Sequence, residues 1–407
     1  MSSRGGAAHP LGWLSRVLLP ALVVLCWAAP SHAYPWMIKY GYDKCASCHT
    51  DPMGGETLTG FGRVMSDTTL STRYDGSKDP TSRAELFFAV PEPRDLRVGG
   101  SVRYMDAYVQ LPKNGSKTTY RQFPMQIDVY GQVRMWERLR AAGSIGVADV
   151  PPGGTYAVAA QITRNNTGDR PLNLVGRNFW LGYDITDNIL VRAGRLNLPF
   201  GLRIPEHVMW VRSATRTDRE SDQQWGVAAS YSGGRWRGEV MPILGNYQVS
   251  PDKFRERGYS AYGEYSLDEH TAIGLSSLVT HAADDRVALK PNTRQAHGAT
   301  LRYAPISSFA VLAEADVLFS TIASPGYVGV VQGDYEFVQG FHGMLTGELL
   351  STGTPNGSTS SAGSGEPAFG IWASLGWFFF THFDARVDFV WRQNAPAAIQ
   401  SQIHYYF

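Results

Sequence analysis

The feature that most constrains this chain is a two-residue alternation that recurs from about Leu96 to the C-terminal Phe407. In Phe123-Pro124-Met125-Gln126-Ile127-Asp128-Val129-Tyr130-Gly131-Gln132-Val133-Arg134-Met135 every odd position is apolar or glycine, and the even ones are mostly polar. Phe383, Ala385, Val387, Phe389 and Trp391 alternate with Asp384, Arg386, Asp388 and Arg392 in the same way. A period of two marks a strand with two unlike faces. In a soluble sandwich the charged face would lie in a core, where unpaired charge is costly. A barrel with an apolar outside and a water-filled lumen removes that conflict. The expected fold is all-β: an outer-membrane antiparallel β-barrel.

Connection lengths test this independently. Sixteen segments can be placed, near 96–111, 121–137, 139–150, 174–185, 188–201, 224–233, 235–249, 258–267, 271–285, 293–304, 308–320, 326–338, 341–352, 368–380, 383–393 and 397–407. Every second connection is then minimal, as at Arg138, Gly234, Gln339-Gly340 and Thr381-His382, while 151–173, 202–223 and 353–367 are long. Short periplasmic turns alternating with long outer loops are an outer-membrane pattern, and an even strand count puts both termini in the periplasm. Ile399, Ser401, Ile403, Tyr405 and Phe407 share one face. They resemble the terminal aromatic signal that the barrel assembly machinery of bacteria recognises, so that machinery and outer-membrane lipid are expected partners.

Composition agrees, with 43 glycines, 20 tyrosines, 18 phenylalanines and 11 tryptophans, suited to strands, turns and interfacial aromatics. A net charge of +1 gives no basic field for nucleic acid. Arg4 and Arg16 flank the start of an apolar run from Val17 to Ala29, and Ser31-His32-Ala33 offers a cleavage site before Tyr34. Residues 1–33 therefore read as a cleaved signal peptide. Cys26 leaves with it, and only Cys45 and Cys48 remain.

Cys45-Ala46-Ser47-Cys48-His49 is the c-type haem attachment pattern. Two thiols can form thioethers to the porphyrin, and the adjacent imidazole can bind its iron. A thioredoxin-like pair would want a βαβ context and a structural zinc a fuller ligand set. One covalent haem c is expected, on a head spanning 34–66, with 67–95 as a linker and 96–407 as the barrel. The far-side iron ligand must approach opposite His49. Candidates are Met53 and Met65, with Met37 upstream, and, at the turn ends of strands, His342, His382 and His404, all expected to point inward. A methionine filling an apolar gap, a rim histidine in solvent, or an open five-coordinate iron are the competing readings.

The two halves together resemble the fused outer-membrane monohaem cytochrome-porins of iron-oxidising bacteria and their relatives. The matching residues are Tyr34-Pro35-Trp36-Met37-Ile38-Lys39-Tyr40-Gly41, then Cys45 to His49, then Leu58-Thr59 and Phe61-Gly62-Arg63. The head departs from that family in its spacing before Cys45 and in the Asp51-Pro52-Met53-Gly54-Gly55 turn. The resemblance implies electron transfer at the outer membrane between an outer donor or acceptor, ferrous iron being one donor class, and periplasmic c-type cytochromes or similar carriers. A diffusion porin with the head as plug, sensor or docking point is the alternative, and a substrate-binding oxidase is a third. The head is too short to bury a haem unaided, so it is expected in or against the barrel mouth. The charged stretch from Arg203 through Arg212 to Asp222 is expected to be a solvated loop, with an inward constriction as the competing reading.

Overall fold

The computed structural model describes residues 34–72, 95–109, 119–149, 172–206, 208–286, 288–356 and 365–407. The expected signal peptide, most of the 67–95 linker, most of the 151–173 connection and His207 lie outside these residues. Strands β1 (Leu96–Val109), β2 (Thr119–Arg134) and β3 (Leu139–Asp149) lead into a strand broken in two, β4 (Leu172–Val175) and β5 (Phe179–Thr186), both paired with β3. There follow β6 (Ile189–Leu196), β7 (Gln224–Gly233), β8 (Trp236–Gly245), β9 (Arg257–Ser266), β10 (Thr271–Ala282) and β11 (Asn292–Ile306). The last are β12 (Phe309–Ser320), β13 (Ala323–Val338), β14 (Phe341–Ser351), β15 (Ala368–Phe380), β16 (Phe383–Arg392) and β17 (Ala398–Tyr406). With β4 and β5 as two segments of one stave, each stave pairs antiparallel with its sequence neighbours, and β17 closes on β1 with Ser101 opposite Tyr406. Counting β4 and β5 as one stave, this is a closed antiparallel barrel of sixteen strands, which leaves no sheet edge.

The outer face carries the apolar half of the alternation. Ile273, Leu275, Val331, Leu345 and Leu375 are exposed mid-strand, and Tyr335, Phe337, Trp377 and Phe380 on one side and Tyr108, Tyr259, Tyr327 and Trp391 on the other flank them. That is an aliphatic band between aromatic girdles. The polar half points inward: Gln126, Asp128 and Gln132 are buried, as are Asp384, Arg386 and Asp388.

Of the several register shifts between strands, the one in β1–β2 moves Phe123 and Met125 from the outer to the inner face. The β1–β2 register pairs Arg103 with Gln126 but Tyr104 with Pro124, leaving Met125 as an extra residue. Such a bulge reverses which side chains face in. Phe123 and Met125, expected on the outer face, line a cavity together with the inward-facing Met105 and Gln402.

The lumen is not the open water-filled space expected from the alternation. The connection after β6 turns inward and carries helix α3 (Trp210–Thr215), with Leu198, Phe200, Leu202, Ile204, Met209 and Val211 all buried. Leu202 N–H donates to Glu314 at 2.7 Å, Trp210 N–H to Glu348 at 2.6 Å, and Arg212 and Arg386 pair with Glu314 and Glu206. At Gly201 (φ 59°) a Cβ would lie 2.0 Å from the Glu314 carboxylate, so only glycine lets the chain pass this wall. The solvated-loop expectation is thus overturned, because wall carboxylates supply the partners that the loop's arginines and amides need.

Candidate functional site

The head enters the barrel at the end where the short turns lie. It begins with a 3₁₀ turn, Pro35–Tyr40, closed by Gly41 at φ 80°. Trp36 and Ile38 are buried. Lys39 lies wholly inside the barrel, 2.8 Å from Asp334 and 3.1 Å from Glu336. Tyr40 donates to Glu336, and the His270 ring meets the Ile38 carbonyl at 3.1 Å. These contacts insert a cation and an aromatic cluster where the bare wall would hold two uncompensated carboxylates.

Helix α1 (Cys45–Cys48) is a single turn presenting both thiols. The two cysteines form no disulfide and are half-buried. His49 ends the turn, its N–H donating to the Cys45 carbonyl at 2.9 Å. A narrow hairpin then pairs His49 with Leu58. Its tip is shaped by Gly54 (φ 97°) and Gly55 (φ 103°). The tip carries Asp51 to Arg192 on the wall at 3.2 Å and toward Arg203 of the inward loop at 3.7 Å. Glu56 accepts from Trp180 Nε1 at 3.1 Å.

Helix α2 (Gly60–Met65) returns over α1. Thr59 caps it, accepting from Gly62 N–H at 3.1 Å while its hydroxyl donates to the Ser47 carbonyl at 2.7 Å. A Cβ on Gly62 would stand 2.3 Å from the Cys48 carbonyl oxygen. The two helices therefore pack backbone to backbone, which brings Met65 back toward the thiols. Ordered contacts continue beyond residue 66, through a π turn Ser66–Leu70 to Thr72, whose N–H donates to Phe378 at 2.9 Å.

The result is one cleft. Cys45, Cys48, His49, Leu58, Gly62 and Met65 line it from α1, the hairpin and α2, with Tyr34, Met37, Tyr42 and Lys44 from the rest of the head. The barrel supplies Arg302, His404 and Tyr406. Of the expected far-side candidates, Met65 and His404 reach this cleft, as does Met37; Met53, His342 and His382 do not line it. Met53 is buried beside Asp51. His342 packs tilted against Trp36 at 4.6 Å and bonds Asp334. His382 packs on Tyr406. All three histidines are buried and inward as expected, but only one is in the right place. His404 is held on both ring nitrogens, by Asp384 at 2.7 Å and Ser101 at 3.3 Å. The Met65 sulfur takes only a hydroxyl contact from Tyr42 at 2.9 Å and two longer threonine contacts.

Burial perturbs both a thiol and the imidazole of the motif. Burial, followed by the neighbouring Cys45, pushes the Cys48 thiol up to about 11. Burial lowers His49 to about 4 against the opposing pull of Asp51, and its ring also hydrogen-bonds the Gly55 backbone. Neutral imidazole oriented by a backbone carbonyl is the form that binds iron. Among the described residues no group of three or more histidines, cysteines and carboxylates is arranged to hold a bare metal ion. The donor set and the largely apolar walls fit a covalently attached haem, which Cys45 and Cys48 would anchor and whose iron His49 would bind. Tyr34 was marked only by the family resemblance, and the sequence did not identify Lys44, Arg302 or Tyr406 as parts of this site. The only other signal was the aromatic density of residues 34–42.

No family model matches the chain, and no curated protein matches it. Solved structures do. The outer-membrane protein OmpT of Vibrio cholerae, in its in-vitro folded trimer form, aligns at a TM-score of 0.54 and 12% identity over 77% of this chain and 100% of its own. The outer-membrane channel DcaP of Acinetobacter baumannii aligns at 0.54 and 14% over 78% and 99%. An anion-selective porin from Comamonas acidovorans aligns at 0.53 and 11% over 77% and 99%. At these identities the likeness is one of fold, and the share of this chain that is covered is about that of residues 96–407: the barrel has the fold of outer-membrane porins.

Proposed function

We propose that the protein is an outer-membrane monohaem c-type cytochrome whose head is seated inside a porin-type barrel, and that it passes electrons between a donor or acceptor reaching the lumen and periplasmic carriers at the short-turn end. The observation that carries this is the cleft, in which two unbridged thiols and a neutral imidazole on one helical turn face apolar walls that the barrel completes. A bound haem would supply one-electron redox chemistry. Cys45 and Cys48 would fix it by thioether bonds, and His49 and Met65 would be its iron ligands. The pinned ring of His404 would have to break two hydrogen bonds to serve as one. Lys44 at the cleft would be a counter-charge for a propionate, whereas Arg302 is already paired with Glu264 and donates to the Asp43 carbonyl at 2.6 Å. Tyr34, Leu58 and Tyr406 exclude water, and burial of this kind tunes redox potential.

Periplasmic c-type cytochromes are the partners that this reading requires. The aliphatic band and girdles support lipid as the outer environment. Ferrous iron as donor comes from the resemblance alone.

The test is electron transfer across liposomes containing the purified protein, with reductant trapped inside and an impermeant acceptor outside. Transfer by the wild type and none by Cys45→Ala/Cys48→Ala supports the reading. Equal rates in both would sink it. The porin fold supports a second reading, solute diffusion with the head as a plug. Liposome swelling in small sugars at a porin-like rate, without electron transfer, would make that the function.

A further inference from the structure

Beside the haem cleft lies a second space whose chemistry the electron-transfer reading does not use. It is a cavity of about 360 Å³ inside the barrel, large enough for a small organic ligand. Along β1 it runs from Arg103 past Met105 to Ala107, away from the short turns. Its aromatic side is Tyr34, Trp36, Phe378 and Trp372. Tyr34 stacks on Trp36 at 4.7 Å, and Phe378 meets Tyr34 edge-on at 5.4 Å, so these three rings form a rigid wall, while Trp372 is fixed separately by donating to Glu348 at 2.6 Å.

Facing them is a carboxylate with unused capacity. Glu206, on the inward loop, gives one oxygen to Arg386, itself paired with Asp388 at 2.7 Å. Its other oxygen, Oε2, has no hydrogen-bond partner among the described residues although the side chain is only 5% exposed. A buried acceptor of this kind calls for a donor. Tyr34 and His404 line both this cavity and the haem cleft, so they are a wall common to the two.

We infer that the cavity binds a small aromatic molecule carrying hydroxyl donors, a phenol or hydroquinone, with its ring against Trp36 and Trp372 and a hydroxyl on Glu206 Oε2. Occupancy depends only on barrel, loop and head side chains. Its closeness to a haem rests on the reading above.

The two are separated by measuring binding with and without the cysteines. Hydroquinone is titrated into the purified full chain and into Cys45→Ala/Cys48→Ala, following tryptophan fluorescence, with cyclohexane-1,4-diol as the non-aromatic control. The expected result is saturable quenching in both proteins, at least tenfold weaker binding in Glu206→Gln, and weaker binding again in Trp372→Leu. A Soret shift on binding in the wild type reports the shared wall. Glu206→Asp, which keeps the charge on Arg386, shows whether a loss in Glu206→Gln comes from loop disorder: partial rescue supports the site. Absence of saturable binding, equal binding of the diol, or unchanged affinity in both Glu206→Gln and Trp372→Leu would overturn the inference. Binding without any Soret band would leave the cavity standing and remove the haem instead.

Discussion

The barrel and the head solve the same problem, burying polar backbone and charge away from water, in opposite ways. The barrel is self-contained, since each strand satisfies its neighbours and the last pairs with the first, as a lipid-facing sheet must. Within its described residues the head holds two α-helices of four and six residues, a 3₁₀ turn, a π turn and a two-residue bridge. Its buried and half-buried polar groups are satisfied from outside: Lys39 by Asp334, Asp43 by Ser266, Ser66 by Tyr406, Thr68 by Gln339. One region is a fold; the other is half of one, completed by the first.

The largest way to break this comparison is chemical. Cys45→Ala/Cys48→Ala is expected to abolish covalent haem completely, read as loss of the haem-stained band, while the heat-modifiable gel shift of the folded barrel is unchanged. Loss of the gel shift as well would mean that the barrel depends on the head.

Next is the anchor. Lys39→Met leaves Asp334 and Glu336 buried without their cation, and breaking such a pair costs about 3–5 kcal/mol. The head is expected to become protease-sensitive and the barrel to stay resistant. A double change, Lys39→Met with Asp334→Asn, should recover part of the loss, and no recovery would argue against direct pairing.

Smaller is the contrast between Met65→Ala and His404→Ala. The first is expected to convert the haem spectrum from six- to five-coordinate, the second to leave coordination as it is. The reverse pattern would assign the ligand to the barrel wall.

The smallest effect is a pH dependence. Burial, with the nearby Asp51 carboxylate, raises Glu56 to about 7. A carboxyl raised on folding is protonated at no penalty in acid and ionises at a cost as pH climbs from its unfolded value through its folded one. Docking of the head should therefore weaken between roughly pH 4.5 and 7, and Glu56→Gln, which keeps an acceptor for Trp180, should flatten that slope in a proteolysis series.

The same contrast decides what could be read from the sequence. Sixteen segments were legible because a period of two is local and repeats. One bulge at Met125 was not, since its register is set by β1 across the pair. The inward loop carried a signal that its charges masked: Leu198, Phe200, Leu202, Ile204 and Val211 are too apolar for solvent. In the head, Cys45, Cys48 and His49 were legible as a contiguous motif. Lys39 looks like any surface lysine because its partner lies 295 residues away. The same blindness made three inward histidines look equivalent when only His404 reaches the cleft.

The central claim is that the proposed haem site is built jointly by head and barrel. Thermal unfolding of the purified protein, followed at once by the haem Soret band and by the β-sheet circular dichroism, tests it most directly. A covalent haem whose coordination spectrum is lost in the same transition as the sheet is the predicted result. A protein without covalent haem, or a haem spectrum that changes tens of degrees below the melting of the barrel, would contradict it.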